Sequence, residues 1–307
     1  MKEQPIKVNN DTMTRLSLLT LLFFMFSTGI ATATNKDKPA YQLFNAKGKQ
    51  VRYSKMLEEL QKADVVLFGE QHNDPIAHWL QLEVAKDLHK EHQQNFAIGA
   101  EMFEADVQLV LNEYLSGQVA ENNFEQESRP WNNYKTDYRP VVRFAKEASI
   151  PFIATNVPRR YAAMVAAGSL KALENVSEDA KRYIAPLPVQ VDMDLPGYKN
   201  MLAMFGGSTH GNTKSENIVQ AQALKDATMG HFILRQANSG KKMLHLNGAY
   251  HSDNFEGIGW YLKQGNPQVK TLTITTVLQE DLDKLTEENK QKADFILVVP
   301  ASMTRTY

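Results

Sequence analysis

The segment VVLFGEQHNDPIAHW at 65–79 sets Glu70 and His72 directly after an apolar run, and the same Gly-x-x-His spacing returns in HLNGAYHSDNF at 245–255, placing Tyr250 and His251. A turn that only reversed the chain would be built from Gly, Asn and Asp. A third run, NFAIGAE at 95–101, ends in Glu101, and a fourth, IPFIATN at 150–156, is followed by Arg159 and Arg160. Two carboxylates, two imidazoles and a guanidinium at one end of a sheet can move protons, or hold a divalent metal that activates water. Each has a plainer use when taken alone. Glu70 and Asn73 can bond loop backbone, and Arg159 can pair with Glu101. Together they are harder to explain that way, because burying unpaired charge is costly and a core has no need of four polar strand ends.

These residues must be positioned by what surrounds them. The apolar runs are 64–70, 95–101, 150–156, 242–248, 269–276 and 294–300. Runs so continuously apolar are usual for strands covered on both faces, the habit of parallel sheets. Amphipathic segments lie between them. Asp74 can cap a helix with Pro75 at its first position and Ile76, Trp79, Leu80, Val84 and Leu88 on one face. A second helix carries Val107, Val110, Leu111, Tyr114 and Leu115, a third starts near Pro140, and a long one runs from about Glu216 to Asn238. The alternation predicts an α/β fold, a mainly parallel sheet flanked by helices, with ligands expected beyond the carboxyl ends of the strands. Residues 157–235 read as a helical insertion over one end of that sheet, and YQLFNAKGKQV as a hairpin turning at Lys47 and Gly48.

Among 307 residues, 34 Lys and Arg nearly balance 35 Asp and Glu, and cysteine is absent. The chain therefore has no disulfide, thiolate ligand or cysteine nucleophile, and its even charge gives no reason to expect a nucleic-acid partner. The uncharged run at 16–33 follows Arg15 and closes on Ala31, Thr32 and Ala33, the layout of an export signal cleaved near Ala33. Its length also allows a retained membrane anchor. The expected organisation is a signal at 1–33, a linker and hairpin at 34–63, and one α/β domain at 64–307, periplasmic or secreted.

Other candidates point less clearly to chemistry. His89 and His92 have the spacing of a helical metal pair but sit among charges, as on a solvated face, and His78 lies among apolar positions. GGSTHG at 206–211 lacks the lysine of a P-loop and has His210 where a nucleophile elbow needs glycine, so it reads as a mobile loop. Around it, Tyr198, Met201, Met204, Phe205 and His210 lie close in sequence, with Lys199 and Lys214 nearby.

The blocks VVLFGEQHNDPIAH, IGAEMFEADVQLVLNEYLSG, YRPVVRFAKEASIPFIATNVPRR, QAQALKDATMGHFIL and LNGAYHSDNFEGIGWYL, in this order, resemble the ChaN-like haem-binding proteins. The wider group includes erythromycin esterases and the TraB/Tiki proteins. The resemblance implies an exported, iron-regulated protein that binds haem through a tyrosine, with haems stacked in a homodimer and an outer-membrane haem receptor as partner. It also implies a strand-end polar cluster, used by the wider group for hydrolysis, that maps onto Glu70, His72, Glu101 and His251, with Arg159 as an outlying addition. Haem needs an apolar slot, an axial donor and basic groups for its propionates. Tyr198 and His210 are the candidate axial donors by position and chemistry. The alternative is an esterase or metal-dependent peptidase using the cluster.

Overall fold

All six apolar runs are strands in the computed structural model, which describes Met1, Lys2, Gln4, residues 37–205 and residues 213–307. A short strand, β1 (Gln42–Asn45), precedes β2 (Val65–Glu70), β3 (Phe96–Glu104), β4 (Phe152–Asn156), β5 (Lys242–Gly248), β6 (Thr271–Gln279) and β7 (Phe295–Pro300). They form one seven-stranded sheet in the order β1-β7-β6-β2-β5-β3-β4. Every neighbouring pair is parallel except β1 with β7. The strands and helices belong to one body, Ala40–Tyr307.

Ten helices among the described residues connect and cover the strands. They are α1 (Tyr53–Leu60), α2 (Pro75–His92), α3 (Gln108–Leu115), α4 (Glu121–Glu127), α5 (Arg139–Glu147), α6 (Arg159–Gly168), α7 (Glu178–Lys181), α8 (Pro196–Met204), α9 (Thr213–Ala237) and α10 (Ile258–Gly265). Side chains alternate between the faces of a strand, and β2 shows what that does here. Val66 and Phe68 join Leu80, Val84 and Leu88 of α2 and Val142 of α5 in one core. Val65 and Leu67 join Met229 and Ile233 of α9 and Ile258 and Leu262 of α10 in another. Both faces are thus helix-covered, which explains the unbroken apolar runs and brings roughly 1.5–3 kcal/mol for each large side chain fully buried.

Residues 157–205 and 213–235 hold α6, α7, α8 and α9 joined by irregular segments, and the expectation of an insertion over one end of the sheet is corrected for α9. The long helix α9 packs on β4, β5 and α6 and forms much of the second face. It is part of the sandwich because its apolar stripe is matched to the back of the sheet. The hairpin expectation is also corrected. The chain does turn after β1, yet the return stroke makes a single bridge, Phe44 to Gln50, while β1 pairs antiparallel along its whole length with β7. β1 thus carries β7 along one edge and the single bridge to Gln50 on the other. The predicted export signal and His210 lie outside the described residues. No described helix is long and apolar enough to cross a membrane.

The start of α2 follows the predicted cap. Asp74 accepts the Ala77 N–H at 2.9 Å, Pro75 occupies the first turn, and the fully buried Asp74 carboxylate also pairs with Arg305. The buried stripe is Ala77, Leu80, Gln81, Val84, Ala85 and Leu88, whereas Trp79 is exposed. The stripe is rotated because His78 and Gln81 turn inward to polar partners described below. Replacing Asp74 by Ala should lower stability by about 2 kcal/mol, from a lost cap and a stranded cation, and Asp74→Asn should lose less because the amide oxygen still caps. Urea unfolding of both variants checks this; an Ala variant with the wild-type midpoint would count against it.

Candidate functional site at the ends of β2, β3 and β5

The two Gly-x-x-His segments meet because β2 and β5 are adjacent and parallel, with Gly69 opposite Asn247 and Glu70 opposite Gly248. Each glycine makes room for the other segment. A Cβ on Gly248 would lie 2.7 Å from Cε1 and 2.9 Å from Nε2 of His72, and one on Gly69 would lie 2.9 Å from the Cα of Ala249. Real side chains do not approach so closely, so the His72 ring lies over Gly248 only while that position lacks a Cβ. Glu101 arrives from β3 on the other side of β5, where the β3–β4 register shifts between Ala100 and Glu104.

The first half of the site centres on Glu70. Its Oε1 lies 3.0 Å from His72 Nδ1 and accepts the Tyr138 hydroxyl, while Oε2 accepts Gln81 Nε2 at 2.6 Å and has His78 Nδ1 at 3.6 Å. Tyr138 ends a π-helical turn, Tyr134–Tyr138, whose wider winding departs from α-helical spacing just before α5. Asn133 donates to the His72 carbonyl at 2.6 Å and fixes the loop. Burial pushes the Glu70 carboxyl up, but His78 and the bonded His72 outweigh it and hold Glu70 below its ordinary value. For His72 burial pulls down, and Glu70 and Glu101 more than reverse it, leaving the imidazole raised. His72 has 41% of its side chain exposed, and its ring stands edge-on to Trp131 with centroids 4.8 Å apart. A cavity of about 520 Å³ opens beside Trp131, lined also by Arg129, Asn132, Asn133 and Arg159.

The second half is a buried relay. His251 sits between two carboxylates, with Nε2 3.1 Å from Glu101 Oε1 and Nδ1 2.5 Å from Asp226 Oδ1. Glu101 Oε2 accepts the Gly248 N–H at 2.8 Å, and Asp226 Oδ2 accepts the Tyr198 hydroxyl at 2.8 Å. Burial opposes the imidazolium, yet Glu101 and Asp226 together raise His251 to about 10. Glu101 likewise falls well below the usual carboxylate range, burial being outweighed by His251. Asp226 goes the other way, raised by burial that His251 and Tyr198 offset only in part. Below about pH 10 His251 is a cation with both nitrogens engaged, so the relay reads as a charge clamp holding β3, the loop after β5, and α9 together.

The family described as Haem-binding uptake, Tiki superfamily, ChaN matches residues 56–262. The chain belongs to this family. The structure of ChaN from Campylobacter jejuni, described as showing cofacial haem binding, superposes with a TM-score of 0.66 at 19% identity, covering 86% of this chain and 98% of that one. A protein from Bacillus cereus has a TM-score of 0.47 at 12% identity over 80% of this chain and 90% of its own. A variant of the erythromycin esterase EreC gives 0.44 at 14% over 80% and 79%. No curated protein sequence matches.

In this ChaN-family chain the fold brings together Glu70, His72, Glu101 and His251 and leaves Arg159 apart. Arg159 has 76% of its side chain exposed and pairs with Glu104 at 3.1 Å, not with Glu101, because Glu101 points inward to His251. Tyr198 joins the site in another capacity. It is 3% exposed and its hydroxyl is bound to Asp226, with burial and that carboxylate raising it far above an ordinary phenol. Among the described residues no group of three or more His, Asp and Glu is arranged to hold a metal ion. His89 packs against Phe96 and Phe144 instead of forming a metal pair with His92.

Sequence reasoning missed Asp226, Tyr138, Gln81 and the buried His245. Asp226 had a signal, since it shares a helix face with Val219, Ala223 and Ile233, all fully buried. A carboxylate on such a stripe needs a partner. His245 bonds Asn247 at 3.0 Å and Thr155 at 2.8 Å, and burial lowers it to about 4.

These shifts set a pH dependence. His251 is raised from 6.5 to about 10, so its contribution is complete below pH 6.5, declines above it and is lost once the pH passes about 10. His245 is lowered from 6.5 to about 4, so it contributes above pH 6.5 and loses that as the pH falls through about 4. In His251→Gln the alkaline loss should vanish and the acid loss remain, read as urea midpoints across the pH range. A variant that keeps the wild-type alkaline limb would show that His251 is not the cation. Gly248→Ala should displace His72, visible as a changed His72 ring NMR signal, with a stability loss of about 1 kcal/mol as the half-exposed ring swings out.

Proposed function

We propose that this chain is an exported haem-binding protein serving haem or iron uptake. The observation that carries the reading is the haem-binding uptake family match over residues 56–262. The likeness of fold to a protein described as binding haem cofacially is consistent with it. The signal-like run at 16–33, with cleavage near Ala33, supports a periplasmic or secreted protein. Met204 at 79% exposure and Phe205 at 50% are apolar side chains left in solvent at the end of α8, which favours a surface that meets a second copy. A homodimer that passes haem to or from an outer-membrane receptor is the arrangement we propose.

A second reading is a hydrolase acting at the strand ends, and one observation favours it. His72 has Nδ1 oriented by Glu70, Nε2 beside Gly248 without a hydrogen-bond partner among the described residues, and a partly exposed ring packed against Trp131, a residue that lines an open cavity. That is the disposition of a general base with its orienting carboxylate. His251 is unsuited to the role, since both its nitrogens are engaged and it carries the proton already.

Titration of the purified protein with haemin, followed by absorbance and size-exclusion chromatography, separates the readings. Haem uptake predicts a saturable Soret shift with a stoichiometric endpoint and a change to dimer. A flat titration at micromolar protein would exclude it, and His72→Ala would then be expected to abolish an esterase or peptidase activity while leaving the fold intact.

A further inference from the structure

The loop 128–133 supplies most of the wall of the cavity beside Trp131. Arg129, Trp131 and Asn133 come from it, Arg159 comes from the first turn of α6, and Tyr307, whose carbonyl accepts from Asn73 at 3.2 Å, also lines it. Three arginines meet two carboxylates there. Arg129 Nη2 donates to Glu104 at 3.0 Å and to Asp106, Arg159 Nε donates to Glu104 at 3.1 Å, and Arg160 Nη1 donates to Asp106 at 2.5 Å. This network holds one positive charge more than its carboxylates answer. Arg129 and Arg159 each spend a single nitrogen on it, so two nitrogens of each guanidinium have no partner among the described residues.

Exposed guanidinium nitrogens are ordinarily left to water, and three further features set this place apart from a solvated ion network. Arg129 has φ 52°, in the left-handed region that a residue other than glycine rarely adopts, so the backbone is held in a costly conformation where that side chain departs. Asn133 is 4% exposed, and its Nδ2 donates to the His72 carbonyl and to Asp137, both at 2.6 Å. Those two acceptors fix the orientation of the amide, and its Oδ1 is buried with no partner among the described residues. A buried acceptor in a cavity wall is satisfied by a donor that enters the cavity. Finally, α6 begins at Arg159 with Pro158 as a cap that offers no side-chain acceptor and with no acidic residue in its first turn, so the positive end of its dipole is unanswered.

We infer that this cavity binds a small organic oxyanion that also carries a hydroxyl or N–H donor, with Arg129 and Arg159 on the anion and the Asn133 oxygen accepting from the donor. Carboxylate and phosphate both present the pair of oxygens that a guanidinium fork matches. The volume, about 520 Å³, falls within the roughly 300–1,000 Å³ of small-molecule pockets. Trp131 also touches the His72 ring, with centroids 4.8 Å apart, so the anion is held one aromatic side chain away from His72. Such a ligand is required by neither reading of function above.

Other places in the fold suit an anion less. A hollow of about 330 Å³ between α9 and α10, walled by Val189, Leu234, Trp260 and His231, is mostly apolar, and burial and Arg235 hold the His231 imidazole below its ordinary value. The cation of the His251 relay is closed off, since Glu101 and Asp226 engage both its nitrogens.

The test is isothermal titration calorimetry of the whole protein at low ionic strength with glycolate, inorganic phosphate and acetate. Glycolate and phosphate carry a donor beside the oxyanion, and acetate carries none. Saturable binding of glycolate or phosphate is expected, the tighter of the two telling a hydroxy acid from a phosphate ester, with acetate roughly fivefold weaker than glycolate. Arg129→Ala and Arg159→Ala should each weaken binding roughly tenfold. Arg182→Ala, which removes an exposed arginine outside the lining, should titrate as wild type. Circular dichroism checks the fold of each variant, and Arg159, with 76% of its side chain exposed, can be replaced without opening the core. No saturable heat with either ligand, wild-type binding in Arg159→Ala, or an equal loss in Arg182→Ala overturns the site. Acetate binding as tightly as glycolate overturns the role of the Asn133 oxygen and with it the donor requirement.

Discussion

The ring of His72 lies so near Gly248 that a side chain there would stand 2.7 Å from it, and the reciprocal approach of Ala249 to Gly69 is almost as close. Two loops that follow adjacent parallel strands normally hold each other off by the width of a side chain. Here the missing Cβ atoms let the loops interleave, and the interleaving puts Glu70, His72 and Glu101 around one glycine. Strand order does the rest. Because β5 stands between β2 and β3, segments far apart in the chain end side by side at the carboxyl ends of three interior strands.

Concentrating charge at those strand ends is costly unless every charge is answered. The structure answers with two kinds of partner. Glu70 is neutralised and fixed from its own loop and from α2 and the π-helical turn, through His72, Gln81 and Tyr138. Glu101 is answered from the other layer, through His251, which reaches on to Asp226 and Tyr198. The cluster therefore joins both helical layers at the carboxyl ends of the strands, and α8 is held to it by the same relay. The cation at its centre has no free nitrogen, while His72 does. That asymmetry separates a structural half of the cluster from a half that faces open space.

The apolar hollow around His231 belongs to a different set of constraints. It arises where α9 and α10 cross near Gly230, not at the strand ends, and it is apolar because it is lined by the outer flanks of helices that cover the sheet. One scaffold thus carries a polar cluster at the strand ends and an apolar hollow between its helices.

The sequence by itself determined the strands, the caps and the identity of four cluster residues, because these depend on local chemistry: unbroken apolar runs, Asp before Pro, and polar residues where a run stops. It also placed the chain in a haem-binding family, through blocks spread along its length. What it could not settle was who meets whom. That Arg159 turns to Glu104, that β1 pairs with β7, and that α9 supplies a face of the sheet follow from which distant surfaces are complementary. Asp226 and Tyr198 become partners of His251 only once α9 is laid across the sheet, because a carboxylate inside a helix shows its burial in the periodicity but not its neighbour. Tertiary packing decided the charge states too, since a histidine is a cation between two carboxylates and neutral in an apolar wall.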